Sequence, residues 1–476
     1  MGMQNSKSFD DIKNSLRNHW FKVTYEPQIV IKGPLTKEKI LELSEMKEEP
    51  SWMTEMRLKA YEWFKKLPLP DWGPDLSEID FDDMIYYASP ELRKKPENRE
   101  DIPEYIKRIF KKLGISEEET KMLAGFGLQF DSSVVYKKVK KYLEQLGVIF
   151  TSMDEAVIEY SDIVKRYFGK IVPYLDNKFA ALNTAVWSGG TFIYVPEGVK
   201  VPFPLHTYFR MNLEGIGQFE RTLIIVEKNA EITYIEGCSA PLYSKASLHA
   251  SVVEVIAKEN SKVRYITLQN WSKNVYNLAI KRAILYNNTH GLWISAEFGS
   301  KVTMVYPGLI LKGNYSKGEI YNISFATDGQ TLDTGGKAIH VGKNSRSIIV
   351  SRSISIGKEK KATSIYRGDI KILKGSENSK SISQCDSLVE GKGTAEALPR
   401  IENYEKSSYF NHEAKIERLD EDKMFYLMAR GISKDSVRNL VYIGFFEDVL
   451  KKIPFKYAME VRKLINLELD KYGDTV

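Results

Sequence analysis

Cysteine is almost missing from this sequence. Its 476 residues include only Cys238 and Cys385, which excludes a disulfide framework and a tetrahedral all-thiolate metal site built from this chain alone. Long apolar runs are missing too. None approaches the roughly 18 residues that span a bilayer, and acids and amides occupy the amino-terminal stretch where a signal peptide needs an unbroken apolar segment. The expectation is a cytoplasmic protein with no membrane partner. Charge of one sign is also scarce: 69 Lys and Arg against 63 Asp and Glu leave a formal +6, without the concentrated basic stripe that a nucleic-acid backbone demands. The nearest approach to a phosphate-binding loop, Gly336 to Gly342-Lys343, is one residue too long. It also carries Asn344 where a Mg2+-binding hydroxyl belongs, so the chain is not expected to be an ATPase itself. A His-Glu-x-x-His helix and a Gly-x-Ser-x-Gly elbow are both absent, which removes the common metalloprotease and hydrolase readings.

What is present divides the chain in three. Residues 1–180 read mostly as helices and connectors. Ser51 is a candidate cap for a helix through Trp52, Met56, Tyr61 and Phe64 that stops at Leu67-Pro68. Near-helical patterns follow over Glu117–Leu128, Val134–Leu146 and Asp154–Phe168, while Asp80, Asp82 and Asp83 read as a solvated acidic loop. From about 181 to 398, β-branched and aromatic residues rise in short runs between turn residues, as in Phe192–Val195, Thr222–Val226, Ser251–Ile256, Lys301–Tyr306 and Ser347–Ser351.

A turn element recurs among these strands: Lys228-Asn229-Ala230, Glu259-Asn260-Ser261, Phe298-Gly299-Ser300, Lys343-Asn344-Ser345 and Glu377-Asn378-Ser379. A residue that tolerates the left-handed region at a fixed corner, followed by a strand, is what a coiled β-solenoid needs. A β-sandwich would give similar strands. Residues 399–476 read as helical again, with Asp420 and Ser433 as caps, Gly431 as a stop, and a last helix after Pro454.

Chemistry-bearing residues are few. Cys385 and His412-Glu413 bring a thiolate, an imidazole and a carboxylate within reach of one another in sequence, a set competent for iron or zinc. A lone Cys is also an ordinary small core residue, and a His-Glu pair an ordinary solvated one. Cys238, in Glu236-Gly237-Cys238-Ser239-Ala240-Pro241, follows a strand at a turn, where a reactive thiol and an inert one are both compatible with the pattern.

The stretch Ala185–Pro196 with its Trp187-Ser188-Gly189-Gly190, Gly217–Thr222, Glu236–Pro241, Gln269-Asn270-Trp271 and His412-Glu413-Ala414 resembles the SufB/SufD family of the Suf iron-sulfur cluster assembly system, and within it the SufB branch. The likeness extends to Glu49–Met53 and Phe425–Gly431. It implies a right-handed parallel β-helix core between helical amino- and carboxy-terminal regions, the latter docking the ATPase SufC. It further implies a scaffold function in which persulfide sulfur arrives from a cysteine desulfurase or its carrier and a transient iron-sulfur cluster is built and handed on. By resemblance, Cys238 is the sulfur acceptor; Arg210, Asn212, Gln269, Trp271 and Lys281 line the sulfur path; and Cys385 with Glu413 or His412 holds the nascent cluster. Reduced flavin is associated with complexes of the family, although no local flavin fingerprint occurs in the chain. The amino-terminal cysteine cluster of some members is absent, and the segment between Trp271 and Tyr276 is short.

Iron-sulfur centres commonly take four protein ligands, mostly thiolates. This chain offers fewer, so the rest are expected from SufD or from a second copy of the chain. A SufD-like structural partner and a carbohydrate-active β-helix enzyme are the competing readings. The second should carry paired carboxylates on one solenoid face, and the sequence has no such pattern.

Overall fold

The computed structural model describes residue 27 and residues 29–89, 125–139, 141–241, 245–419 and 421–470. Its centre is a parallel β-solenoid of about 8 turns, flanked by helices at both ends of the chain. Each turn contributes to three faces. The first face stacks Gly125–Phe130, Leu205–Arg210, Glu231–Ser239, Lys262–Asn270, His290–Phe298 and Lys317–Ala326, then the opening parts of Arg346–Ile372 and Lys380–Asn403, and last Tyr409–Arg418. Short strands such as Ser247–His249 and Val275–Asn277 form the second face. Arg221–Val226, Val252–Ala257 and Ile280–Leu285 belong to the third.

The corner between the third and first faces explains why the sequence coils. Asn229, Asn260, Asn288, Tyr315, Asn344 and Asn378 all take positive φ, between 55° and 60°, a region Asn enters more readily than most residues. Their amides are tied rung to rung, Asn229 N–H to the carbonyl of Glu259 and Asn260 N–H to that of Asn287. The recurrent turn element therefore marks this corner at four of its five positions. Gly299 belongs to a different corner, between the first and second faces. There φ is +75° and a Cβ would lie 1.6 Å from the carbonyl oxygen of Trp271, so only glycine fits. With Gly299 set aside and Asn288 and Tyr315 included, the spacing becomes 31, 28, 27, 29 and 34 residues. The sandwich alternative is excluded by the continuous parallel register.

Three expectations need correction. Gly125–Phe130 is a strand, paired in parallel with Leu205–Arg210 and antiparallel with Ser133–Val139. The expected helix over Val134–Leu146 is thus a strand followed by a short helix, Lys141–Gln145. Val134, Val135 and Val139 are β-branched, and a hydrogen-bonding edge overrode a weak helical spacing; the remainder of the expected Glu117–Leu128 helix lies outside the described residues. Second, Pro50 stands at the N-cap position and Ser51 is the first helical residue of Ser51–Lys66. Third, strands continue to Arg418, past the expected limit at 398, so His412-Glu413 sits on the last strand of the solenoid and not at a helix start. The caps at Ser433 and the stop at Gly431, with φ +87°, agree with the sequence; Asp420 lies outside the described residues.

Both flanks pack on the outside of the coil. The helices Lys434–Leu450 and Phe455–Asp470 cover the outer side of the first face, with Tyr442, Phe446, Val461 and Ile465 against Ile266, Ile294, Ile323 and Phe325. Met53, Phe168 and Trp187 from the amino-terminal region cover Leu223, Ile225 and Ile256 of the third. A buried ion pair pins this second contact. Arg221 Nη2 lies 2.5 Å from Glu254, whose carboxylate also accepts the backbone N–H groups of Gly169, Ile171 and Val172.

Candidate functional site

Side chains alternate across the first face, so one set of each strand points into the coil. In Glu231–Ser239 the inward set is Ile232, Tyr234, Glu236 and Cys238; in Lys262–Asn270 it is Val263, Tyr265, Thr267 and Gln269. The apolar half makes an aromatic stack, with Tyr265 and Trp293 rings 4.3 Å apart. The other half is polar in rung after rung. One column runs Thr207, Glu236, Thr267, Ser295, Asn322, Ser351, Cys385; its neighbour runs Cys238, Gln269, Glu297, Ser324, Ser353, Ser387. All of these residues are buried. The two thiols therefore lie five inter-strand steps apart inside one coil, about 24 Å at about 4.8 Å per step, with polar side chains between them.

Contrary to the expected position at a turn after a strand, Cys238 lies within the strand Glu231–Ser239 and is 2% exposed, because the strand runs on through it to pair with Lys262–Asn270. Its Sγ accepts from Gln269 Nε2 at 3.3 Å, and Trp271 Nε1 donates to Gln269 Oε1 at 2.7 Å. Lys281 reaches in from the third face and places Nζ 3.1 Å from Glu236 Oε1 and 3.2 Å from Thr267 Oγ1. Tyr265 donates to the other oxygen of Glu236 at 2.6 Å. The structure thus brings together Cys238, Gln269, Trp271 and Lys281. Arg210 and Asn212 are buried elsewhere. Arg210 pairs in register with Ser239 and donates to its hydroxyl at 2.7 Å, on the side of the sheet opposite Cys238, and the Asn212 amide N–H donates to Asp131.

Sequence reasoning missed the groups that complete this interior. Glu236 is one. A second series runs from Glu220 through His249, 3.0 Å away, to Asn277 at 2.8 Å and Glu297 at 3.1 Å, with the His249 ring 4.5 Å from that of Trp271. Burial pushes the Cys238 thiol well above its usual range, reinforced by the Glu236 and Glu220 carboxylates and opposed by Lys281 and Gln269. Burial likewise raises the Glu297 carboxyl to about 7, against the pull of Lys281 and His249. The signal that could have found them is a period-two pattern that turns polar at the same half of every rung.

Cys385 is 1% exposed and its thiol is pushed up to about 11 by burial. His412 lies on the next strand, on the same inward side, its Nδ1 3.2 Å from Ser383 Oγ and its ring parallel to that of Tyr366. Glu413 points the opposite way, where Asn411 donates to it at 3.1 Å. Among the described residues no three His, Cys, Asp or Glu side chains converge closely enough to hold a metal ion. His412 and Glu413 are adjacent in sequence and stand on the strand next to that of Cys385, but the three are not a closed ligand set. Among the described residues no helix is long and apolar enough to cross a membrane.

Comparison with known proteins agrees with this architecture. Residues 209–445 match the family described as "SUF system FeS cluster assembly, SufBD core domain", and residues 120–206 match the "SufBD protein N-terminal region". The chain is 46% identical over 437 residues to an iron-sulfur cluster assembly SufBD family protein of Staphylococcus epidermidis, covering 92% of this chain and 93% of that one. It is 45% identical, with the same coverage, to SufBD family proteins of Staphylococcus saprophyticus and Staphylococcus aureus. This chain belongs to the SufBD family of iron-sulfur cluster assembly proteins.

Proposed function

We propose that within this family the chain acts on the SufB side, as the scaffold that accepts persulfide sulfur at Cys238 and holds a nascent iron-sulfur cluster at Cys385. The observation that carries the reading is the pair of buried thiols at the two ends of one polar interior. A structural subunit has no need of such an interior, because unpaired polar groups weaken a core that apolar residues would fill. Gln269, Trp271 and Lys281 supply donors at the acceptor end. Arg210 acts on the outer side of the same sheet, where it holds the strand that carries Ser239, and Asn212 is tied by its backbone N–H to Asp131 just beyond that sheet's edge strand.

At the other end, Cys385 and His412 offer two inward donors, with Glu413 on the reverse side of the strand. The remaining ligands come from SufD or from a second copy of this chain. A cluster so held is bound loosely, as suits a donor that passes its cargo on. ATP is hydrolysed by SufC, which docks on the carboxy-terminal helices; Phe425, 72% exposed, and Phe455, 81% exposed, provide the apolar contact. Sulfur reaches Cys238 from a cysteine desulfurase or its carrier.

Anaerobic reconstitution with iron and sulfide tests this reading. The chain with its partner subunit develops visible charge-transfer absorption that Cys385→Ala reduces severalfold. Absorption that is absent, or indifferent to Cys385→Ala, assigns the chain to the structural role instead.

A further inference from the structure

A buried thiol is a poor nucleophile until its proton has somewhere to go. Cys238 faces Glu236 from its own strand, Gln269 from the next, Lys281 and Glu220 from the third-face side, and the phenols of Tyr234 and Tyr265; Tyr208 lies across the sheet, its hydroxyl donating to Ser239. Release of its proton to solvent would add a negative charge to a site that already holds the Glu236 and Glu220 carboxylates, which is why burial and these anions hold the thiol up. Transfer of the proton to a neighbouring carboxylate leaves the charge of the interior unchanged. One carboxylate is in place: Cys238 Sγ lies 3.9 Å from Glu236 Oε1, the long reach typical of a weak S–H donor. That same oxygen is 3.1 Å from Lys281 Nζ, so the ammonium sits beside both partners of the exchange and favours the thiolate once it forms.

Building on the acceptor role proposed for Cys238, we infer that Glu236 is the general base of sulfur transfer, taking the Cys238 proton while Lys281 holds the resulting thiolate. The Sγ–H proton passes to Glu236 Oε1. The thiolate electron pair attacks the terminal sulfur of a protonated donor persulfide, an Sγ–S bond forms, and the donor S–S bond breaks with its electron pair on the donor's inner sulfur. Glu236 returns the proton to that leaving thiolate. One thiol and one persulfide become one persulfide and one thiol, with no oxidant or reductant consumed.

The base reading and a purely electrostatic one differ in sign. If Glu236 were only a buried anion, Glu236→Gln would ease thiolate formation and speed sulfur uptake. As the base, its loss slows uptake about 100-fold. The test incubates the full chain with glutathione persulfide and follows the gain of one sulfur at Cys238 by intact mass. Glu236→Asp keeps the charge and the Lys281 pair but withdraws the carboxylate by one methylene, and is expected to load about 10-fold more slowly than the unaltered chain. Uptake at the unaltered rate or faster in Glu236→Gln overturns the inference. Should Glu236→Gln not fold, full-rate uptake by Glu236→Asp overturns it equally. Cys238→Ser separates the two levels: if that variant still gains sulfur, the acceptor reading itself fails, whereas blocked loading in Cys238→Ser with full-rate loading in Glu236→Gln removes only the base.

Discussion

The Lys281–Glu236 pair is the most heavily committed contact of the interior, and its removal has a computable consequence. Both side chains are all but sealed from solvent, 0% and 4% exposed, with Nζ and Oε1 3.1 Å apart. At an effective dielectric constant of about 20, two unit charges at that separation attract by about 5 kcal/mol. Much of that offsets the cost of taking both ions out of water. Removing one partner forfeits the attraction but not the burial, so Lys281→Met and Glu236→Gln are each expected to cost about 3 to 5 kcal/mol. Removing both leaves no orphaned charge. The double variant should then cost far less than the two losses together, with a coupling of about 3 kcal/mol between the sites. Urea unfolding followed by tryptophan fluorescence is a suitable assay, because Tyr265 donates to Glu236 and stacks on Trp293 at 4.3 Å. Losses that add to within about 0.5 kcal/mol would refute the argument, since independent sites behave that way.

Other consequences follow from single residues. Cys238→Ser is expected to abolish sulfur loading from a persulfide donor while sparing chemical reconstitution with free sulfide at Cys385; equal loss in both assays removes Cys238 from the acceptor role. His340 is buried with both ring nitrogens 2.8 Å from serine hydroxyls, and burial lowers its pKa from 6.5 to about 4. The unfolded chain therefore binds a proton below pH 6.5 that the folded chain refuses until about 4. The contribution of the neutral ring is full above pH 6.5 and is lost as pH falls through 4, up to about 3 kcal/mol. His340→Gln should flatten the stability profile across that window, as measured by urea midpoints. Tyr315 holds φ +58° at the corner with its side chain 64% exposed, so Tyr315→Asn, which relieves the backbone and gives up little packing, should stabilise by about 0.5 to 1 kcal/mol in thermal unfolding.

Much of this architecture was legible in the residues because a solenoid repeats its local demands. Asn229, Asn260, Asn344 and Asn378 mark one corner by chemistry alone. Tyr315 was missed because nothing about tyrosine advertises a left-handed backbone, and Gly299 was misassigned because glycine serves any sharp corner. The strand Ser133–Val139 was hidden for another reason: its conformation is set by a partner, and pairing is not a property of the segment. The site divides along the same line. Cys238 stands out as a rare residue type and Gln269 and Trp271 are named from resemblance, whereas Glu236 and Glu297 look like any strand carboxylates until register places them inside the coil. Lys281 could be named from resemblance, but its ion pair with Glu236 joins two different faces and depends on how the coil closes.

The far end of the solenoid carries the sharpest consequence for assembly. Among the described residues, Tyr409–Arg418 pairs on one side only, with Lys380–Asn403. Its inward-side residues Phe410 and Ile416 are 41% and 47% exposed around His412. An unpaired strand edge with apolar side chains is a template for another chain. Here it lies one strand from Cys385, so a chain added at that edge brings its own donors beside that thiol. Ile416→Lys places a cation on this surface without touching Cys385 or the interior near Cys238. It is expected to lower the mass of the complex in size-exclusion light scattering and to lose the reconstituted absorption in parallel. Sulfur loading at Cys238, six inter-strand steps away, should be unchanged. A monomeric Ile416→Lys variant that keeps the full absorption would mean that one chain ligates the cluster alone, and the shared site would have to be abandoned.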